Sequence, residues 1–462
     1  MSAESSEEPP EHASAELSWE ARPVHSLVLL ALPITLSGIS FAVMGVVDTL
    51  LVSSLGAAEL AGVGLGIIVT NALMSFGFGV LRGVKILLAQ ARGRGAHTSA
   101  QVYVGAGLLL ALGLGVVMMA LGECVALFVP RFAASPAAGE AARRYIAVRS
   151  LGMPIILAYV ALREARYGYG ETRSPLVSAL LGNVAHAMLD VVALYLLGWG
   201  AAGAAAANVL AFAVQAGLLA SIQWRAAFSF GARERRALLD VARAGAFTGM
   251  QFALEIGSIM ALSLLLAGVS DHQMAAHQIA VQLSAFCFLP LLAIGESATL
   301  LSAEAVGSGR HELVLIAART ARNVALSFAA LCALVLVVCG GPLARFFSDD
   351  PALVQVLRVV FVACAANQLM EALALSGHGI LRGVGAARLS ALCALGCAWL
   401  LTPWVGYLLV RVLELGAAGA WMARSVELAC GSLIIWRTIE RGSWLTSRAR
   451  HSLLPALRES RG

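Results

Sequence analysis

Charge is what this sequence has least of. Only 13% of its 462 residues are Asp, Glu, Lys or Arg, whereas a soluble domain carries about a quarter to keep its surface wet. A soluble enzyme and a nucleic-acid binder are excluded on that ground, and the net charge of +5 reads better as membrane topology than as affinity for a polyanion. Clustered thiols are missing too. The eight cysteines lie singly inside apolar runs, with no CxxC and no Cys/His grouping. That excludes a disulfide scaffold and leaves no readable zinc or redox site. His97, His186, His277 and His378 show no HExxH-type spacing, so no metallohydrolase motif is present. Between Met1 and Glu20 stand six Glu and no Lys or Arg. A signal peptide needs a basic start, so the segment 1–22 reads as an acidic disordered tail.

What is abundant is apolar length. Hydrophobic residues make up 59% of the chain and the mean hydropathy is +0.83. Stretches of about 20 or more apolar residues, each able to cross about 30 Å of hydrocarbon, recur to the end. The expected fold is an all-α polytopic membrane protein of about twelve transmembrane helices. The spans are near 24–53, 57–84, 100–129, 150–167, 176–197, 202–223, 244–269, 273–304, 313–340, 352–381, 389–410 and 416–437. Placing both termini in the cytoplasm puts most Lys and Arg inside, among them Arg82, Lys85, Arg163, Arg225, Arg243 and Arg437, as the positive-inside rule favours. Arg131, Arg143, Arg144 and Arg149 would then face outward. Their spacing from Glu140 suggests an amphipathic surface helix.

The chain also repeats itself. Gly93, Gly95 and His97 recur as Gly307, Gly309 and His311 at an offset of 214; Gly168, Gly170 and Arg173 recur as Gly383, Gly385 and Arg388 at 215; Gly-Ala-Ala-Gly-Ala at 200–204 recurs at 416–420. The expected domains are therefore a tail (1–22), an N-lobe of six helices (23–223), a cytoplasmic linker (224–243), a C-lobe of six helices (244–437) and a basic cytoplasmic tail (438–462). An even number of spans per half makes the repeats parallel, with a site between them and rocking as the motion. That is a transporter's organisation.

Ionised groups at membrane depth cost roughly 2.5–3.5 kcal/mol each on insertion scales, so each one wants a reason. Glu255 sits centrally in span seven, after Gln251, with no basic residue within a turn; it is a functional acid or a structural hydrogen bonder. Asp48 follows Pro33 by about four turns of helix, in the outer third of span one, where a carboxylate reaching interfacial water is the plainer reading. His186 and Asp190 are one turn apart, after Asn183, and can pair as a proton relay or as a structural couple. Glu371 follows Asn367 and Gln368 on one polar face. Arg424 and Glu427 neutralise each other in the expected reading, and Glu123, Glu164, Glu296 and Glu304 snorkel near span ends. Pro33, Pro154 and Pro290 each remove a helix hydrogen bond and permit a bend.

Several segments, in order, resemble the multidrug and toxic compound extrusion (MATE) transporters. They are Leu32-Pro33 with Val47-Asp48-Thr49-Leu50, then Glu59-Leu60-Ala61-Gly62-Val63, then Met274-Ala275-Ala276-His277-Gln278-Ile279 followed by Gly307-Ser308-Gly309-Arg310, and finally Leu381-Arg382-Gly383-Val384-Gly385. The resemblance covers nearly everything after residue 20. It implies a two-lobed, twelve-helix fold in a bacterial inner membrane that exports organic cations or amphipathic compounds in exchange for inward Na⁺ or H⁺. By that resemblance Asp48 and Asp190 are N-lobe coupling acids, with His186 where the family often has Asn. Glu255 and Glu371 match C-lobe acids of the NorM-like and eukaryotic branches. The expected supporting network is Asn183, His186, Gln251, Gln278 and Asn367, the expected bend Pro33, and Na⁺ would sit at Asp48 or at Glu255 and Glu371. No other cofactor, nucleic acid or obligate protein partner is expected. A flippase of lipid-linked precursors is the alternative within the same superfamily, though it would carry more basic residues centrally.

Overall fold

The computed structural model describes residues 17–133, 135–228 and 230–444. Most of the acidic tail and the end of the basic tail, from 445 onward, therefore lie outside the described residues. Fifteen α-helices follow in order: α1 (Pro23–Ser53), α2 (Ala57–Gly93), α3 (His97–Phe128), α4 (Pro136–Leu151), α5 (Met153–Gly168), α6 (Arg173–Val191), α7 (Gly200–Ile222) and the short α8 (Trp224–Ala227). After them come α9 (Ala232–Ala267), α10 (Asp271–Gly307), α11 (Glu312–Val338), the short α12 (Gly340–Phe347), α13 (Pro351–Gly383), α14 (Ala387–Tyr407) and α15 (Gly416–Glu440). Among the described residues nine helices are long and apolar enough to cross a membrane, and a tenth span is α4 with α5, bent by 52° at Gly152. Two more long helices, α9 and α15, carry Glu255 and the Arg424–Glu427 pair mid-length. The result is an all-α membrane protein of twelve long helices in two six-helix bundles.

The bundles are inside-out relative to a soluble fold. Leu50, Met188, Leu264 and Leu400 are exposed, while Lys85, Glu164, Asp190 and Glu296 are buried. Alanines fill much of the core. Small residues bring helix backbones close, which is how helices associate when lipid is as apolar as leucine.

The duplication is geometric as well as textual. Gly95, Gly170, Gly309 and Gly385 all adopt left-handed φ, between 70° and 85°. The N–H that follows each glycine reaches back five positions to close the preceding helix. Only glycine does this without strain. α6 and α14 each end in a π-helical turn, Val192–Leu196 and Leu408–Val412. Beyond these turns Glu59 accepts the Ala201 N–H and Gln273 accepts the Ala417 N–H, both at 2.7 Å. Side chains at equivalent places in the two halves thus cap α7 and α15.

Four sequence expectations need correction. The segment 140–149 is not a surface helix. It belongs to α4, whose Ala141, Ala142, Tyr145 and Ile146 are buried. Its arginines find partners: Arg143 on Glu140, Arg144 on Glu59, Arg149 on Asn208. Span four consequently starts near 136 rather than 150. The linker is largely helix, since α9 already begins at Ala232. The acidic tail ends before residue 22, because Trp19 is buried in the C-lobe core and Glu20 forms a two-pronged pair with Arg310, 2.5 Å at each prong.

That last contact matters for α1. Its N-terminal end (Leu27, Ala31, with Leu30 and Ile34) packs into a cluster of C-lobe residues. Its C-terminal end (Leu51, Val52) packs with Val63, Tyr145 and Ala201 of the N-lobe. Pro33 lies near the handover, in a helix that runs unbroken through it, and its carbonyl accepts the Ser37 hydroxyl at 2.8 Å.

Candidate functional site

In the N-lobe, α1 and α6 bring Asp48, His186 and Asp190 together. One ligating atom of each lies within 4.8 Å of the other two, and all three residues are buried. His186 Nε2 stands 3.3 Å from an Asp190 carboxylate oxygen. Asp48 Oδ1 and both Asp190 oxygens are buried with no hydrogen-bond partner. Buried acceptors left unpaired are costly, and a small cation or a proton is the species that would satisfy them. Asn183 supports from the same helix by donating to Ser40 of α1. The Arg149 guanidinium donates to Asn208 of α7. Asp48 is therefore no interfacial carboxylate; the bundle encloses it.

On the C-lobe side, α9, α10, α13 and α15, with α2 of the N-lobe, surround a cavity of about 490 Å³. Glu255, Glu371, Arg424, Asn367, Gln251 and His277 line it among Phe78, Phe252, Phe288, Leu292 and Trp421. Arg424 holds Glu427 at 2.9 and 3.0 Å, as the sequence spacing implies, and the Thr402 hydroxyl donates to the same carboxylate at 2.5 Å. Glu255 has no basic neighbour within a turn on its own helix. Across the bundle, however, Arg424 approaches to 3.5 Å. That pair opens on the cavity, so Glu255 is not sealed behind an arginine. Glu371 has no ion pair or hydrogen bond among the described residues. Asn367 Oδ1, Gln251 Oε1, His277 Nδ1 and both polar atoms of Gln368 are buried and unpartnered. Gln278 is the misplaced member of the expected network: it is exposed, and its amide donates to the Met274 sulfur at 4.0 Å. One residue is about 100° of helix, and it is His277 that faces the cavity.

Below the cavity lies a cluster made of acids expected to snorkel. Glu296 of α10 accepts from Arg82 and Lys85 of α2 and lies 3.6 Å from Arg382 of α13. Lys85 also meets Glu164 of α5 at 3.1 Å, and Arg92 meets Glu304 at 2.6 Å. Glu164, Glu296 and Glu304 are thus buried ion-pair partners, and the pairs through Glu296 and Glu304 join the two lobes. The partners in those pairs come from opposite halves of the sequence, so nothing local could show them. Beside the cluster α2 crosses α10 with Gly93 against the Glu304 carbonyl and Gly307 against the Gln90 carbonyl. A methyl there would sit at 2.2 and 2.1 Å, too close for any real side chain. The lobes are closed together at this end.

A single family model, MatE, matches residues 33–192 and again residues 248–408. The chain belongs to the MatE family. The double match falls on the two halves of the repeat, one per lobe. Among curated proteins, this MatE chain is 25% identical over 458 residues to the multidrug resistance protein MdtK of Edwardsiella ictaluri, covering 93% of this chain and 98% of that one. It is also 25% identical over 440 residues to the MdtK of Photorhabdus laumondii, covering 92% and 96%. Among solved structures, it matches an outward-facing multidrug resistance MATE family transporter of the MOP superfamily with TM-score 0.84 and 19% identity, over 92% of this chain and 97% of that one. A MOP superfamily transporter from Pyrococcus furiosus, whose binding pocket is described as of reverse polarity, matches with TM-score 0.83 and 19% identity over 94% and 97%. These likenesses show a common fold.

Proposed function

We propose that this MatE transporter is a secondary antiporter that exports cationic or amphipathic small molecules in exchange for inward Na⁺ or H⁺. The observation that carries the reading is the C-lobe cavity. It is apolar and aromatic on its walls and of a size that takes a small drug. Arg82 is hydrogen-bonded to Glu296 and Arg424 to Glu427, with Arg382 3.6 Å from Glu296, which leaves Glu371 without an ion pair among the described residues and Glu255 sharing Arg424. The family relationship and the multidrug names of the MdtK relatives support the reading. Lobes 23–223 and 244–437 are the moving bodies, joined through 224–243, in a bacterial inner membrane with both termini cytoplasmic.

The chemistry follows from electrostatics in a dry site. A buried carboxylate strongly prefers a neutralising partner, and that partner is either the coupling ion or a cationic cargo. With the inner end closed by the ion-paired cluster, the cavity opens to the opposite side. An ion arriving there at Glu255 and Glu371, or at Asp48 and Asp190, competes with cargo for negative charge and displaces it. Rocking the lobes breaks the inner contacts, releases the ion and readmits cargo. Each charge moving down the membrane potential contributes about 2.3 kcal/mol per 100 mV.

A lipid-linked pyrophosphate would need free cations in the cavity. Arg82 and Arg382 do line its floor, but Glu296 lies against both and the carboxylates of Glu255 and Glu371 share the cavity with them, which favours export over flipping. The test is efflux of ethidium from proteoliposomes under separately imposed Na⁺ and H⁺ gradients. One gradient should drive wild-type efflux, and Glu255→Gln, Glu371→Gln and Asp48→Asn should each slow it by about tenfold or more, a loss of about 1.4 kcal/mol of coupling. Unchanged efflux in both Asp48→Asn and Glu255→Gln would remove the assignment.

A further inference from the structure

The repeat supplies its own control for a second site, at the end of the helices away from the ion-paired cluster. Val129-Pro130-Arg131-Phe132 and Leu343-Ala344-Arg345-Phe346 hold equivalent places in the two halves, each in a short helical segment that follows a long apolar helix. Phe132 and Phe346 are each 82% exposed. Exposed rings at the end of a span belong at the level of lipid headgroups. The following helix starts alike in both halves, with Ser135 before Pro136 and Asp350 before Pro351, each side chain capping its first turn. That start fixes the register at an offset of 215, which sets Glu140 opposite Gln355 and Arg143 opposite Arg358.

The two lobes then part chemically. In the N-lobe Arg143 is occupied by Glu140, its Nε and Nη2 donating at 2.8 and 2.6 Å. In the C-lobe Gln355 carries no charge to offer. Neither Arg345 nor Arg358 has an ion pair among the described residues, and with Ser348, Asp349 and Gln355 they line a cleft of about 570 Å³. Two guanidiniums against the one carboxylate of Asp349 leave an excess positive charge. Phe346 and Phe347, edge to face at 5.4 Å, adjoin the cleft in sequence and supply apolar surface.

We infer that this cleft binds the phosphate of an anionic phospholipid, held by Arg345 and Arg358, in the leaflet at this end of the helices. The guanidinium fork matches phosphate oxygens in pairs. Basic pockets between helices bind anionic headgroups on the cytoplasmic side of membranes, and the same pairing of charges applies in either leaflet. Ser348 and Gln355 can donate to or accept from the hydroxyls of a glycerol headgroup. The excess positive charge disfavours the quaternary ammonium of a choline headgroup.

The test uses the full-length protein in detergent, titrated with phosphatidylglycerol, phosphatidylcholine or inorganic phosphate and read by native mass spectrometry. Wild type should retain a phosphatidylglycerol about tenfold more tightly than a phosphatidylcholine, a gap of about 1.4 kcal/mol. Arg345→Gln with Arg358→Gln should close the gap. So should Gln355→Glu, which rebuilds the N-lobe pair while keeping both arginines, and which carries the test if the double variant fails to fold. Arg143→Gln should leave the gap as it is. Equal retention of both lipids by wild type, a gap that survives Gln355→Glu, or inorganic phosphate binding as tightly as the lipid would each overturn the inference. None of these readouts depends on transport.

Discussion

Asp48, Asp190, Glu255 and Glu371 each lie in an otherwise apolar stretch of helix, and that setting makes them legible in the bare sequence. A carboxylate at such depth needs a reason wherever its neighbours lie. His186 is the informative departure, since its Nε2 occupies a place beside Asp190 where the family often offers an amide oxygen. Na⁺ prefers oxygen ligands, whereas imidazole suits protons and softer metals. His186→Asn should therefore raise Na⁺-driven relative to H⁺-driven efflux, measured in proteoliposomes under the two gradients; an unchanged ratio would place the coupling ion elsewhere. Gln278 failed for a local reason, because a motif names a run of residues and only one of His277 and Gln278 can face inward. Glu296 failed for a distant one. Its three basic partners come from α2 in the other lobe and from α13, and no helix-local pattern encodes a partner on another helix. Glu296→Gln leaves buried cations uncompensated, a loss of about 3–5 kcal/mol where a buried pair is broken one-sidedly. It should lower the melting temperature in detergent well beyond Glu312→Gln, which alters an exposed pair.

At the scale of helices, the span ends that sequence missed are those where charge and burial coincide. α2 runs to Gly93 rather than 84 because Arg82, Lys85 and Arg92 are paired inside the protein, so their charge does not end the helix. α4 looked like a surface helix for the same reason. Where α9 crosses α2, a methyl on Gly245 would lie 1.8 Å from the Val80 carbonyl. Gly245→Ala should push the helices apart at a cost of about 1–3 kcal/mol, as overpacking does, visible as a lower melting temperature. Gly217→Ala, at a position with open space around it, should show no such drop. The α1 latch makes a pH prediction. The hydrogen bond from Arg310, with the charge of that guanidinium, holds the Glu20 carboxyl below its usual range. A lowered folded pKa means the latch stabilises at neutral pH and down to the ordinary Glu value of about 4.3, and is lost as pH falls through the lower folded value. Wild type and Glu20→Gln should thus differ in melting temperature at pH 7 and converge in strong acid; a gap that persists there would show that Glu20 acts through packing alone.

For the whole molecule, six-plus-six helices, the repeat and the lobe order were readable because Gly, Ala and apolar length are periodic features of the chain. The way the halves touch was not readable, since contact between bodies leaves no periodicity. If the seam between the lobes must open in every transport cycle, holding it shut stops transport. Arg92 and Glu304 face each other there at 2.6 Å. In a chain whose native cysteines are replaced, bridging Arg92→Cys to Glu304→Cys with a short bis-methanethiosulfonate, whose reach replaces the two long side chains, should abolish efflux, and reductant should restore it. Transport persisting across a formed crosslink would put the moving joint elsewhere.

The divided allegiance of α1 has a consequence for the chain as a polymer. The described structure begins rooted in one bundle, while the helix that starts there finishes in the other. Cutting the backbone within 224–243 would therefore not yield two separable proteins. The severed fragments would stay hooked by Trp19, Leu27 and Glu20, so the front end of the polypeptide serves as a second hinge pin beside the covalent one.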